Sequence, residues 1–263
     1  MRRNTLFWGS ILLIIGIALL LDNLGLLGDT NIWGFIWPLG LIALGIWILW
    51  GNFLRRSSPT EHVEIPLEEM KRARILVQHG AGRLRLSSGA NPAELLEGEF
   101  GGGVDINKQS QEDSLQVKLS LPGRIFPFDW FPGESLDWSL RVNRDVLLAL
   151  KFETGAGETH MDLSDLLVSE LTLSTGASST TLTLPENAGF TQVKIESGAA
   201  SIDIRVPSGV AARIRSSGGL SSTSVDKERF PRVGDVYLSP DFDSAPNKVE
   251  LNIQMGVGSV SIK

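Results

Sequence analysis

Apolar residues fall along this chain in two regimes. From Asn4 to Leu21 no charged residue occurs, and none again from Thr30 to Leu54. Each run has the roughly 20-residue length of a bilayer-crossing helix. The pattern therefore predicts a two-helix transmembrane hairpin over 1–56, with helices at about 5–21 and 32–54, joined by a short connection that holds Asp22 and Asp29. A polar linker, 57–61, follows with Ser57-Ser58-Pro59-Thr60. Beyond it apolar and polar residues alternate with a period of two, the mark of strands that bury one face.

The alternation is organised around a recurring glycine corner. ILVQHGAGRLRL (75–86), FETGAGETHMDL (152–163), LTLSTGASSTTLTL (171–184), VKIESGAASIDIRV (193–206) and LNIQMGVGSVSI (251–262) share it. Apolar residues stand five and three places before the corner, as in Leu171 and Leu173 or Val193 and Ile195, and return four and six places after it, as in Leu84 and Leu86 or Ile202 and Ile204. A degraded copy, ARIRSSGGLSSTSV (212–225), aligns with Ser217 in the glycine place. Corners at 155, 176, 198 and 217 are then 21, 22 and 19 residues apart. A step of about 20 residues with strand, corner and strand inside it predicts a stacked solenoid. The expected fold class is all-β, a single-stranded β-solenoid preceded by the transmembrane hairpin.

A glycine pair after a strand also resembles a phosphate-cradling loop. Such a loop needs a helix N-terminus behind it and occurs once, whereas this one recurs and is followed by another strand. Gly80, Gly82, Gly155, Gly157, Gly176, Gly198, Gly256 and Gly258 are therefore read as structural corners, where glycine allows a sharp bend and close stacking. The repeat fills 146–263. In the N-terminal part, 62–145, it is weaker: strands are expected at 95–100, 104–106, 115–119 and 136–142, with a turn over 109–113. Asp226 to Asn247, charged and proline-bearing, reads as an extra loop between the last two corners. LPGRIFPFDWFPGE (121–134) gathers Phe126, Phe128, Trp130 and Phe131 among three prolines. Two readings of it stand beside each other: a loop folded over the open end of the stack, or a docking loop for a partner, since exposed aromatic clusters mark contact sites. A third is dipping into the membrane interface nearby.

Charge narrows the function. Arg2 and Arg3 precede the first apolar run, Arg55 and Arg56 follow the second, and the loop between is acidic, so both termini are expected in the cytoplasm. The first 56 residues hold four Arg and two Asp, which leaves residues 57–263 at −8 within a whole-chain charge of −6. An acidic domain is repelled by nucleic acid, and no nucleic-acid partner is expected. The bilayer, through residues 5–54, is one partner.

Candidate chemistry is sparse. There is no cysteine. His62, His79 and His160 stand singly and read as ordinary surface residues. Glu153, Glu158, Asp162 and Asp165 cluster near one corner, but the next coil offers mostly Ser and Thr, so no acid–base pair of carboxylates is assembled from adjacent coils. No catalytic residue, no metal ligand set and no cofactor site is expected.

Leu20-Leu21-Asp22-Asn23-Leu24-Gly25, Trp37-Pro38-Leu39 and Leu41-Ile42-Ala43-Leu44-Gly45 resemble the paired transmembrane segment of LiaI/LiaF-like bacterial proteins. Gly80-Ala81-Gly82-Arg83-Leu84, Leu96-Glu97-Gly98 and Asp162-Leu163-Ser164-Asp165-Leu166 resemble the toast-rack domain of the same family. The resemblance implies a bacterial envelope protein of the cell-envelope stress response. LiaF itself is regarded as a membrane-bound negative regulator of a two-component sensor kinase, so a membrane protein partner such as a sensor histidine kinase is implied. No catalytic residues come with the family. The expected function is a membrane-anchored, non-enzymatic regulator acting by protein contact. The alternative is a homo-oligomeric scaffold, tethered to the membrane and self-associating through open sheet edges. A carbohydrate-active β-helix enzyme would need an extracytoplasmic domain and collides with the basic flanks.

Overall fold

The computed structural model describes residues 60–68, 70–111, 113–122 and 136–263, all within the unit that runs from Arg56 to Lys263. The expected hairpin over 1–56 lies outside the described residues, as do Phe126, Phe128, Trp130 and Phe131. Every alternating segment that is described becomes strand, and no described residue is helical. In chain order the strands are β1 (Thr60–Pro66), β2 (Arg72–Ser88), β3 (Glu94–Gly101), β4 (Asp105–Gln111), β5 (Ser114–Ser120), β6 (Trp138–Val142), β7 (Leu147–Asp162), β8 (Leu167–Thr183), β9 (Phe190–Arg205), β10 (Ala211–Val225), β11 (Arg232–Val233), β12 (Val236–Leu238) and β13 (Lys248–Ile262). Strand β4 runs on through Gln111, so the turn expected over 109–113 is shorter than the alternation suggested.

Six of these strands, each bent at its corner into two arms, stack parallel and in register in the order β2, β7, β8, β9, β13, β10. One inner row before the corner is Ile75, Leu150, Leu171, Val193, Leu251 and Ile214. One row after it is Leu86, Met161, Leu182, Ile204, Ile262 and Val225. All twelve are buried. Each large aliphatic chain removed from water in this way stabilises by roughly 1.5–3 kcal/mol, and no coil could bury these rows without its neighbours. Turns between coils add Leu163, Leu166, Leu184, Val206 and Val210 to the same core.

Stack order departs from chain order at both ends. Strand β13, last in the chain, lies between β9 and β10. The degraded repeat is therefore the terminal coil. Its register also differs from the sequence alignment: Ser217 pairs with Gln254 and Gly218 with Met255, while Leu220 pairs with Val257. This sets Gly219, not Ser217, opposite Gly256, and the step from corner 198 becomes 21 rather than 19. The two-residue slip is invisible to alternation, because a shift of two returns every side chain to the same face. Ser216 and Thr223 thereby stand in the inner rows, opposite Ile253 and Val260, and their hydroxyls bond to each other at 3.0 Å. Polar inner positions suit a coil with no further coil beyond it.

At the other end, β5 pairs with the first arm of β2 over Arg72–Gln78, and β6 pairs with the second arm over Leu84–Ser88, both parallel. Together they form the two arms of one more coil. Strand β4 then pairs antiparallel with β5, β3 with β6, and β1 with β3. Trp138 fills the middle of this end. Its indole N–H donates to Gly101 O at 3.2 Å, and Phe100 meets it edge-on at 5.0 Å between ring centroids, an arrangement favoured by the ring quadrupoles.

Candidate functional site

The corners set the geometry of the outer ridge. A Cβ placed on Gly155 would lie 2.3 Å from Gly80 O, and one on Gly256 would lie 2.6 Å from Gly198 O. The coils therefore approach too closely at the first corner position for any side chain. Two residues on, the corners come in two conformations. Gly157 and Gly258 have φ of +140° and +138°, where a Cβ would fall within 2 Å of the preceding coil's carbonyl oxygen. Ser178 and Ala200 occupy the same register position without positive φ. The sequence distinguishes them: Gly-x-Gly turns through positive φ, whereas Gly-Ala-Ser and Gly-Ala-Ala do not.

Between those two positions one residue per coil points outward. In stack order these are Ala81, Ala156, Ala177, Ala199, Val257 and Leu220. The ridge is apolar throughout, and its side chains enlarge toward β10, where Val257 is 51% and Leu220 81% exposed. Sequence reading passed over this row, although the central residue of each corner carries the signal. Beside the ridge runs an open groove of about 750 Å³, lined by Glu153, Ser174, Glu196, Gln254 and Ser217 in one register row.

The aromatic segment enters and leaves at this ridge. Its stems, Leu121 and Leu136, close on the first corner: Leu121 Cδ1 lies 3.1 Å from where a Cβ on Gly80 would be, and Leu136 O 2.6 Å from one on Gly82. The two stems lie between β5 and β6, the two arms of that coil. Leu136 O accepts a hydrogen bond from His79 Nε2 at 2.7 Å. The Asp137 carboxylate accepts from the Arg83 N–H at 3.2 Å and from its guanidinium at 3.4 Å, and Gly101 N–H donates to Asp137 O. This end of the aromatic segment is thus fastened to β2 by three hydrogen bonds and to β3 by a fourth. The four aromatic residues themselves lie outside the described residues.

His79 corrects a sequence expectation. It is 4% exposed rather than a surface residue, and its ring lies 5.0 Å from that of Trp138. Burial lowers its pKa below the ordinary histidine value, an effect opposed in part by the Leu136 hydrogen bond and by the charge of Asp137. Because a carbonyl oxygen only accepts, the short contact puts a proton on Nε2. His160 is exposed, and His62 lies 3.3 Å from Glu64.

The acidic cluster is dispersed by the same geometry. Glu153 accepts from Gln78 at 2.7 Å and pairs with Lys151 at 2.8 Å. The Lys151 bond, then the Gln78 bond, holds its carboxyl below the usual range. Glu158 accepts from Arg83 Nε at 3.0 Å, which raises that guanidinium further above its ordinary value. Asp162 accepts from Ser164, within its own turn, and Asp165 accepts from Ser88. Each carboxylate has a separate partner, and no two face a shared point. Among the described residues no group of histidine and acidic side chains is arranged to hold a metal ion.

The expected loop over Asp226–Asn247 is more than a connection. It contains β11 and β12 and buries Phe230 and Phe242. Arg213 lies over the Phe242 ring at 4.4 Å, and Arg229 donates to Val206 O and Pro207 O at 2.7 and 2.9 Å. The segment covers part of the last coil, and its two phenylalanines were the available signal.

Two family models match this sequence. The N-terminal domain of toast_rack aligns with residues 55–205, and the LiaF transmembrane domain with residues 7–61. Among solved structures, a candidate cell adhesion protein from Clostridium sporogenes superimposes with a TM-score of 0.72 at 21% identity, covering 78% of this chain and 98% of its own. That likeness establishes the fold. A candidate adhesin from Bacteroides fragilis covers 78% of this chain and 96% of its own, with a TM-score of 0.33 at 8% identity. No curated protein matches this sequence.

Proposed function

Since the chain belongs to the toast-rack family, with a LiaF-type transmembrane domain ahead of its β-stack, we propose that it regulates the bacterial cell-envelope stress response by protein contact, on a sensor histidine kinase of the same membrane. The observation that carries this reading is the pairing of the two matched regions in one chain. A bilayer-embedded segment is followed directly by a rigid stack, so both can meet the membrane and cytoplasmic parts of one partner. The basic flanks at Arg2, Arg3, Arg55 and Arg56 support cytoplasmic termini. The separately partnered carboxylates support a role without catalysis. The fastened stem at Leu136 and Asp137 supports the segment with Phe126, Phe128, Trp130 and Phe131 as a docking element, because a held stem lowers the ordering cost of binding.

Capture tests this. Tagged full-length protein, crosslinked in its own membranes with and without a cell-wall antibiotic, should trap a histidine kinase in untreated cells and less of it after treatment. Recovery of no kinase under either condition would end the regulator reading. Substitution of Trp130 and Phe131 by Ser should reduce capture while leaving thermal unfolding unchanged.

A further inference from the structure

The sheet has outer strands at both ends, and they are protected unequally. At the first end β1 carries Glu61, His62 and Glu64 and finishes in Pro66, while β4 carries Asp105 and Lys108. Charge and proline on an outer strand are the ordinary means of preventing edge-to-edge pairing. At the last end β12 pairs with β10 only at Arg213 and Ile214. Among the described residues no strand pairs with the rest of β10 on the side away from β13. Beyond Arg215 that free stretch, Ser216–Val225, reads SSGGLSSTSV, with no charge and no proline. Of the four large apolar side chains exposed among the described residues, Leu220 and Val257 stand on the ridge at this end and Val233 on the neighbouring β11.

We propose that the free arm of β10, Leu220–Val225, pairs antiparallel with the same arm of a second copy of this chain. The occupant follows from charge. Residues 57–263 carry −8, so two copies repel over most of their surface, but the free arm is neutral and opposes no like charges across a two-fold axis. Ser222 and Ser224, which are exposed, supply hydroxyls that donate and accept equally, so the facing side chains can satisfy each other there. Leu220, beside Val257, would be covered at the end of the contact, opposite Ser224 of the second copy when the two Ser222 residues face each other. Since the strands at the opposite end are guarded, assembly stops at two copies and does not continue into a filament. This inference concerns the last coil and does not depend on the kinase reading.

The absence of native cysteine makes the test direct. Full-length Ser222→Cys protein, oxidised in isolated membranes, should form a disulfide-linked species of twice the chain's mass. His62→Cys, on the guarded outer strand β1, should not. Adding Leu220→Lys to Ser222→Cys should reduce the yield at least about tenfold, because an ammonium group would then have to lose water in the contact, opposite Ser224 of the second copy. A companion Ser224→Cys variant covers a register displaced by two residues. Linkage equal at positions 62 and 222, linkage unaffected by Leu220→Lys, linkage to a different polypeptide, or a single-copy mass for both serine variants would each overturn the proposal.

Discussion

Beyond the β5–β6 coil the chain adds β4 on one arm and β3 and β1 on the other, and packs Trp138 and Phe100 beneath them. Beyond the β10 coil it adds one short hairpin that pairs with two residues. The same stacking problem, a last coil whose partner is missing, is thus met by added chain at one end and by chemistry at the other. At β10 both inner positions beside the corner are polar, with Ser216 bonded to Thr223. The Ser216 row carries Ile253, Ile195 and Leu173 in the coils inside it, and only the Thr223 row already holds Thr180 and Thr159. The difference teaches that a solenoid end can be made soluble without being closed. Solubility requires only that the exposed inner positions be satisfied in water, whereas closure requires partners for the backbone of the edge.

Substitutions can break that comparison, and the largest effect belongs to the closed end. Trp138→Ala should destabilise the stack by about 3–5 kcal/mol through the lost aromatic volume, read as a large fall in the unfolding midpoint of the detergent-solubilised chain. A drop as small as that of an exposed residue would mean that this end is not the stabilising one. Next comes the interior they share: Gly157→Ala should cost on the order of 3 kcal/mol, since it forces a side chain into positive φ against the Gly82 carbonyl. Gly209→Ala, with open space around it, is the matched control and should be near neutral.

A smaller effect separates the ends by pH. The folded-state pKa of His79 lies below its unfolded value of about 6.5. The unfolded chain therefore binds the extra proton first, and stability falls as pH drops below that value. Unfolding midpoints at pH 7.5 and 5.5 should differ, and His79→Gln should reduce the difference. The carboxylates of Glu97 and Glu153, held low by their hydrogen bonds, contribute a separate loss that begins only as pH falls through the acid range below about 4.5. The smallest effect belongs to the open end. Leu220→Ala should leave thermal stability within about 0.5 kcal/mol, because the side chain is already in water, while lowering the yield of the disulfide-linked pair.

Much of the fold was legible along the chain. The residues five and three places before each corner, and four and six places after it, are the buried rows, since alternation in a strand is a direct consequence of its pleat. Ser217 was misplaced because register differing by two residues leaves alternation intact. His79 was read as exposed because no local pattern announces that Leu136, 57 residues on, will close over it. The fastening of Leu136 and Asp137 was hidden for the same reason.

By itself, then, the sequence determined which residues face inward, where every coil but the last bends, and which corners need positive φ, because all three follow from the pleat and from a missing Cβ. Only the tertiary structure decided that β13 enters between β9 and β10, that β5 and β6 make one coil across the aromatic segment, and that β10 is the end. Stack order depends on which backbones fit edge to edge. Glycine at 256 lets β13 close on Gly198, and the polar inner positions of β10 suit it to the coil with nothing beyond.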